Sequence, residues 1–441
     1  MKKSLFALAA TTAIVGAAQA QSSVTVYGIL DVGYIGANTV TTTTSTSVLN
    51  GSAKAQSNQF GAGAESSSRL GFKGVEDLGG GASAFFTIEM GVNPQLGNLS
   101  GSSAANPKYD LQQTTDASGS AIDNRQTFAG LKKNGIGQIA FGRQYTTIFQ
   151  AAAATSPGQM NNMMGDAIYS GSSSGLSTNT YLNTMTNRAD NQVSLASDKF
   201  AGFGLSGFYA LNNANSTNLV AAGGSQGGNV NWGGWGLGAD YTWQKLYVTA
   251  AMQQFRTKYD NQVTFGAGTT LNLGGAGPTS GQPIAGSTST VLFSPTNNTD
   301  QQVYAGATYD FGILKAYAQY ITRTINQNTT NGGGIGAAGT QVIGNQLKRS
   351  AEQIGVRSYI TPTVEAWASA GLVKYTGAIS ATAPSLPTAN GNMYQLGTNY
   401  YLSKRTNLYA IYGSYNTSSN IQNNGLAGAG SNYALGMRHT F

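Results

Sequence analysis

The sequence contains no cysteine and one histidine, His439. An exported chain of this composition has no disulfide framework and no thiolate metal site. A histidine-based triad would have to use His439, two residues from the last position, and no nucleophile and base are placed around it. Charged residues are also scarce, at 9%. They form no basic run, which leaves nucleic acid without an electrostatic footprint despite the positive balance. Disorder is the other reading of a chain rich in Gly, Ser and Asn, but it usually goes with few aromatics, and here they make up 10%. Beyond residue 20 there is no run of 18 apolar residues, so a helical membrane protein is excluded. A membrane-spanning sheet is not excluded, because its signal is alternation rather than a continuous apolar run.

Glycine (60) and tyrosine (23) are abundant. With the many Ser, Thr, Asn and Gln they favour strands, turns and long polar loops over helices. The chain opens MKKSLFALAATTAIVGAAQA: two lysines, an apolar stretch over 5–18, and Ala18-Gln19-Ala20 as an A-x-A cleavage pattern. Residues 1–20 are expected to be a cleaved signal peptide and 21–441 a single barrel domain. Loss of Lys2 and Lys3 takes the formal net charge from +7 to +5.

Period-2 alternation recurs along the mature chain. Val24, Val26, Leu30 and Val32 alternate with Thr25, Tyr27, Ile29 and Asp31. Leu246, Val248, Ala250 and Met252 oppose Tyr247, Thr249, Ala251 and Gln253. Leu314, Ala316, Ala318 and Tyr320 oppose Lys315, Tyr317 and Gln319. Each pattern is a strand with one apolar face. Short connections (EDLGGG, KKNGIG, DFGI, ITPT, LSKR) alternate with eight long ones, near 36–66, 92–122, 146–187, 212–231, 256–300, 323–346, 376–390 and 416–430. The predicted fold is an all-β, transmembrane antiparallel barrel of 16 strands. Two aromatic bands are expected as interfacial girdles. Tyr241, Trp243, Tyr309, Phe311, Tyr359, Tyr400, Tyr401 and Phe441 lie beside short turns. Tyr145, Phe255, Tyr320, Tyr375 and Tyr415 lie at long-loop ends. The final strand, 431–441, must pair with the first, because lipid offers unpaired backbone groups no water. Tyr433, Leu435 and Met437 then face lipid or another subunit. The glycine-rich segments GGAGPTSG and NGGGIGAAG lack a strand–helix context and a P-loop lysine and read as external loops.

Four segments, SVTVYGILDVG, SSRLGFKGVEDLGGG, NRQTFAGLKKNGIGQIAFGRQY and the ending YALGMRHTF, together resemble the general diffusion porins of Gram-negative outer membranes, specifically the β-proteobacterial branch. The resemblance implies a homotrimer of barrels with short periplasmic turns and long extracellular loops. It implies a third long loop folded into the pore, here 146–186 with GQMNNMMGDAIY. It places stacked arginines on the opposite wall, matched by Arg69, Arg143 and Arg188, with Arg125 and Lys73 as additions. Enteric relatives carry several carboxylates in the inward loop. Here GQMNNMMGD offers only Asp166, with Asn161 and Asn162 where acids would stand, so a weak to moderate anion preference is expected. Glu89, Asp123 and Asp190 are acids that would blunt it. Arg143 has the parity of Ile139 and Phe141, toward lipid, so either a bulge turns it inward or it lies beyond the apolar band. Tyr433, Leu435, Met437 and the terminal Phe441 resemble the sorting signal read by the barrel-assembly machinery. Other implied partners are outer-membrane lipid, lipopolysaccharide, and small polar solutes and ions; no cofactor is called for. The alternatives are a substrate-selective channel, with Tyr247, Tyr304 and Tyr317 as lumen aromatics, and a surface adhesin or structural protein.

Overall fold

A computed structural model describes residues 23–45, 48–95, 123–169, 185–220, 224–259, 296–331, 341–377, 388–418 and 428–441. The expected signal peptide and the glycine-rich segment GGAGPTSG lie outside these residues, as does most of NGGGIGAAG.

The chain forms one closed antiparallel sheet. Its strands are β1 (Ser23–Ser45), β2 (Val48–Ala62), β3 (Arg69–Gly79), β4 (Ala82–Gly91), β5 (Asn124–Lys133), β6 (Gly137–Tyr145), β7 (Arg188–Ser197), β8 (Phe203–Val220) and β9 (Gly224–Trp243). There follow β10 (Leu246–Tyr259), β11 (Thr296–Asp310), β12 (Lys315–Asn331), β13 (Gln341–Thr361), β14 (Val364–Gly377), β15 (Ala389–Tyr401), β16 (Thr406–Thr417) and β17 (Gly428–Thr440). Among the described residues one short helix, α1 (Thr147–Ala154), interrupts them. On one side of β1 lies β17, from Ile29↔Thr440 to Thr41↔Gly428. On its other side lie β3, over Ser23↔Val75 to Ile29↔Arg69, and then β2, from Val32↔Ala62 onward. β2 and β3 are therefore two pieces of one interrupted stave, and the barrel has the sixteen staves the alternation predicts.

The alternation survives as lipid-out, lumen-in. Along β16 the burial runs strictly every second residue, with Asn407, Tyr409 and Ile411 inward and Leu408 and Tyr412 outward. In β1, Val24, Val26, Leu30 and Val32 are exposed on the outer wall while Asp31 is buried. Closure is completed at the last residue: Gly28 N–H donates to the Phe441 carbonyl (3.0 Å) and Phe441 N–H to the Gly28 carbonyl (3.1 Å). Each unpaired group there would cost several kcal/mol in hydrocarbon. The Phe441 ring lies where a Cβ on residue 28 would stand, so only glycine fits at that position.

Two expectations are corrected. The connections 36–66 and 212–231 are largely strand, since β1 and β2 run to Ser45 and from Val48, and β8 and β9 to Val220 and from Gly224. These extensions are rich in Thr, Ser, Asn and Gly on both faces, so no apolar alternation announces them. The upper aromatic band is the second correction. Tyr320 does face outward, but Phe255, Tyr375 and Tyr415 are buried inside the barrel, and Tyr145 contacts arginines there. The outward aromatics toward the long-loop side include Tyr209, Tyr394, Tyr412 and Tyr433 instead. At the short-turn end Trp243, Tyr309, Phe311, Tyr400 and Phe441 are exposed as expected. Tyr401 instead donates to Glu365 (2.9 Å) and stacks on Tyr359.

Candidate functional site

The segment after β6 turns into the barrel. Thr146, extended at φ −78° and ψ 163°, caps α1: its Oγ1 accepts from Phe149 N–H (3.4 Å) and donates to the Thr186 carbonyl (2.7 Å). The alanine-rich TIFQAAAA is a good helix former. It ends at Thr155, whose hydroxyl bonds to the Ala151 carbonyl (2.9 Å) and to Tyr304 Oη.

The barrel wall meets this loop with amide side chains from β10, β11, β13, β15 and β17. Gln253 Oε1 accepts Ile148 N–H (3.4 Å) and Gln302 Oε1 accepts Thr186 N–H (2.9 Å). Gln353 Oε1 accepts Ala167 N–H (2.7 Å), and Asn432 Oδ1 accepts Met164 N–H (3.0 Å). Gln395 and Asn161 donate to each other, at 3.0 and 2.6 Å. All of these wall amides are buried, so each replaces water as partner of a loop amide or carbonyl. At Gly165 (φ +93°) the loop backbone rests on the Tyr394 carbonyl with no room for a Cβ. At its far side Asn162 Nδ2 donates to the Gly63 carbonyl (2.6 Å) and Ser67 Oγ (3.2 Å), in the break between β2 and β3. That break is organised by Asp31, which accepts the amides of Glu65 (2.9 Å) and Ser66 (2.6 Å) and the Tyr409 hydroxyl.

The break also holds Arg69, which donates to the Ser67 carbonyl (3.1 Å) and Ser66 Oγ (2.6 Å). Arg69, Arg125 and Arg188 gather around Glu89 and Tyr145. Arg125 Nε is 2.7 Å from Glu89 Oε1 and Arg69 Nη1 is 3.9 Å from the same oxygen. Tyr27 donates to Glu89 Oε2 (3.2 Å). The Tyr145 hydroxyl accepts from Arg125 (3.1 Å) and Arg188 (3.2 Å), and the Arg188 guanidinium lies 4.8 Å from the Tyr145 ring centre. Phe149 of α1 stacks on Tyr145 at 4.4 Å, joining this wall to the loop. Arg69 and Arg125 thus share the Glu89 carboxylate, and Arg188 joins them through Tyr145.

Arg125 reaches the lumen through a bulge. Glu89 pairs with Gln126 and Met90 with Asn124, leaving Arg125 unpaired and turned from the outward face of Thr127, Ala129 and Leu131. A second register shift, between Gly142 and Gln144, occurs at Arg143. Its guanidinium is taken up by the Asn124 carbonyl (2.7 Å) and the Asp190 carboxylate, whereas the other three arginines meet at Glu89 and Tyr145. Lys73 is on the lumenal face, its Nζ 5.4 Å from the Tyr27 ring centre. Asp166 is buried and its Oδ1 accepts Ile168 N–H and Tyr169 N–H, both at 2.9 Å. Burial pushes its carboxyl above the usual carboxylate range. It shapes the loop rather than facing the arginines across open water. Tyr145 and the wall glutamines are the contributors that sequence reasoning missed. The glutamines were visible as Gln253, Gln302, Gln319, Gln353 and Gln395, all in the lumenal phase of their strands.

The sequence model of the Gram-negative porin family matches residues 7–420. The chain belongs to the Gram-negative porin family. This porin is 27% identical to an outer membrane porin protein of Bordetella pertussis over 437 residues, covering 94% of each chain. Among solved structures it is similar to the anion-selective porin from Comamonas acidovorans, with a TM-score of 0.54 and 18% identity over 96% of this chain and 100% of that one. It is also similar to the trimer form of in-vitro folded OmpT from Vibrio cholerae, with a TM-score of 0.52 and 14% identity over 95% and 99% of the two chains. The porin is an outer-membrane channel protein and not an enzyme.

Proposed function

We propose that this porin passes small hydrophilic solutes and ions down their gradients through a water-filled lumen, with a weak preference for anions set by Arg69, Arg125 and Arg188. The observation that carries the reading is the imbalance at the loop-narrowed level, with the guanidiniums of Arg69 and Arg125 at Glu89 and that of Arg188 at Tyr145 beside them. The loop facing them offers the amides Asn161 and Asn162, and Asp166 is tied to its own backbone. In a narrow, water-filled lumen with low-dielectric walls such an excess focuses a positive potential. The Comamonas porin, described as anion-selective, supports the same direction. Lys73 adds a lumenal cation on the same strand as Arg69.

The binding-ladder reading is weakened by its own residues. Tyr304 is fully buried and bonded to Thr155 and Gln319, and Tyr317 is buried as well, so neither offers an open ring to a solute.

The functional unit is a homotrimer, as the trimer form of OmpT suggests. Its contact face is built on β1 and β17 with the neighbouring β2, where Tyr34, Phe60 and Tyr433 cluster outside the barrel. The chain is exported with cleavage after Ala20, and the barrel-assembly machinery reads Tyr433, Leu435, Met437 and Phe441. Lipid and lipopolysaccharide cover the outer wall. Zero-current potentials of the purified protein in a planar bilayer under a KCl gradient test the channel and its sign together. Conductance with the sign of chloride preference is expected. Cation preference would remove the filter, and absence of conductance from an inserted barrel would remove the pore.

A further inference from the structure

On the outer wall away from the β1–β17 seam, β13 and β14 carry two lysines on one face. Lys348 has the phase of Glu352, Ile354 and Val356 on β13, and Lys374 has the phase of Ala370 and Leu372 on β14; all of these are exposed. Register sets Lys374 opposite Ser350 and Lys348 opposite Thr376. The two lysines are therefore diagonal neighbours, which in a sheet lie about 7–8 Å apart at Cα. Outward residues paired across strands form rows. Thr322 and Asn390 continue the row of Lys374, and Thr324 that of Lys348. These rows stand just beyond the apolar band, on the long-loop side. Tyr320 is in the next row inward, beside Glu352, and Tyr394 one row further in, beside Ala370. Both tyrosines are outward and nearly half exposed, the position of aromatics at the boundary between hydrocarbon and headgroups. No ion pair or side-chain hydrogen bond among the described residues uses Lys348, Lys374 or Glu352. Arg256, an outward cation on β10, is by contrast bonded to Asn297 (3.0 Å).

We propose that Lys348 and Lys374 together bind a sugar phosphate of lipopolysaccharide in the outer leaflet. The inference rests on the reading that the long loops are extracellular and that lipopolysaccharide covers this wall, and not on the ion preference of the pore. Two ammonium groups held side by side repel each other, and an anion between them reverses the sign. Glu352, one row toward the apolar band, still leaves the patch with one surplus positive charge. Each ammonium offers three donors and no acceptor, which suits a bridging phosphate. Lysines near a membrane surface also attract anionic headgroups. The neighbours select the kind of headgroup. Thr322, Thr324, Ser350, Thr376 and Asn390 surround the lysines with hydroxyls and an amide, partners for the hydroxyls of a sugar. Below the boundary the acyl chains meet the apolar wall at Leu372, Ile354 and Val356.

Native mass spectrometry of the purified full-length protein tests the site. The probes are bis-phosphorylated lipid A, the same lipid stripped of phosphate, and phosphatidylglycerol. An adduct with bis-phosphorylated lipid A is expected on the parent and on K348R/K374R, which keeps both charges. It is also expected on K404Q/R405Q, which removes the same charge from the β15–β16 turn. On K348Q/K374Q it is expected to fall by about tenfold or more, as the loss of two lysines at a charged membrane surface requires. Phosphatidylglycerol is expected to bind all four proteins equally. Equal retention of lipid A by K348Q/K374Q, or equal loss in both glutamine variants, would overturn the proposal. Undiminished binding of the phosphate-free lipid by the parent would do so too, as would a parallel loss of phosphatidylglycerol from K348Q/K374Q. The heat resistance, conductance and zero-current potential of K348Q/K374Q are expected to match the parent. Those readings separate a failure of this site from a failure of folding or of the pore itself.

Discussion

Asn161 and Gln395 lie 234 residues apart in sequence and exchange two amide hydrogen bonds, at 2.6 and 3.0 Å, inside the barrel. Gln395 also donates to the Met163 (3.4 Å) and Met164 (3.0 Å) carbonyls, so one wall side chain fixes three residues of the inward loop. Gln395→Ala takes the side-chain donor from the buried Met164 carbonyl and leaves Asn161 with only its bonds to the Gly158 carbonyl and the Met163 amide, a loss of about 1–3 kcal/mol. We expect noisier single-channel currents and a lower melting temperature, with the barrel still assembled. Currents as quiet as the parent's would show that the loop is held without this pair.

Among the described residues Glu89 is the carboxylate bonded within the arginine cluster, 2.7 Å from Arg125. Glu89→Gln removes its charge and keeps its shape. The zero-current potential in a KCl gradient is expected to move further toward the chloride limit. A move toward potassium would mean that Arg69 and Arg125 are positioned by Glu89 more than they are neutralised by it.

Anion preference from a charged wall weakens with salt, because the screening length falls from about 10 Å at 0.1 M to about 3 Å at 1 M. The same permeability ratio measured at these two concentrations is expected to shrink toward unity. A salt-independent ratio would point to direct ion coordination instead of a focused potential.

Asp31 accepts the amides of Glu65 and Ser66 where the second stave is interrupted. Asp31→Ala leaves both amides unsatisfied and frees Ser66 from its place beside Arg69. Lower heat resistance of the folded barrel on cold-loaded gels is expected, at about 1–3 kcal/mol per amide. Unchanged heat resistance would place the stability of the break elsewhere.

The stave count, the lumenal phase of Tyr27, Gln253 and Gln319, and the closing role of 431–441 were legible because lipid makes outward residues uniformly apolar. The hairpin tips of β1–β2 and β8–β9 were not, since above the membrane both faces of a strand are polar. The sequence places Tyr145, Phe255, Tyr375 and Tyr415 near loop ends, and position near a loop end does not fix direction. Within the barrel a tyrosine can satisfy its hydroxyl against arginine, as Tyr145 does. The bulge at Arg125 was also hidden, because one extra residue reverses parity without changing composition. Arg69 and Arg188 were found at the cluster, while Asp166 turned out to serve the loop's own backbone.

The most direct test compares the zero-current potential of the parent with that of R69Q/R188Q in the same KCl gradient. The account predicts a chloride-preferring sign for the parent and a shift toward zero or toward potassium for the double variant, with conductance retained. An unchanged potential in a folded, conducting R69Q/R188Q channel would contradict it, because the arginine wall would then not be the filter.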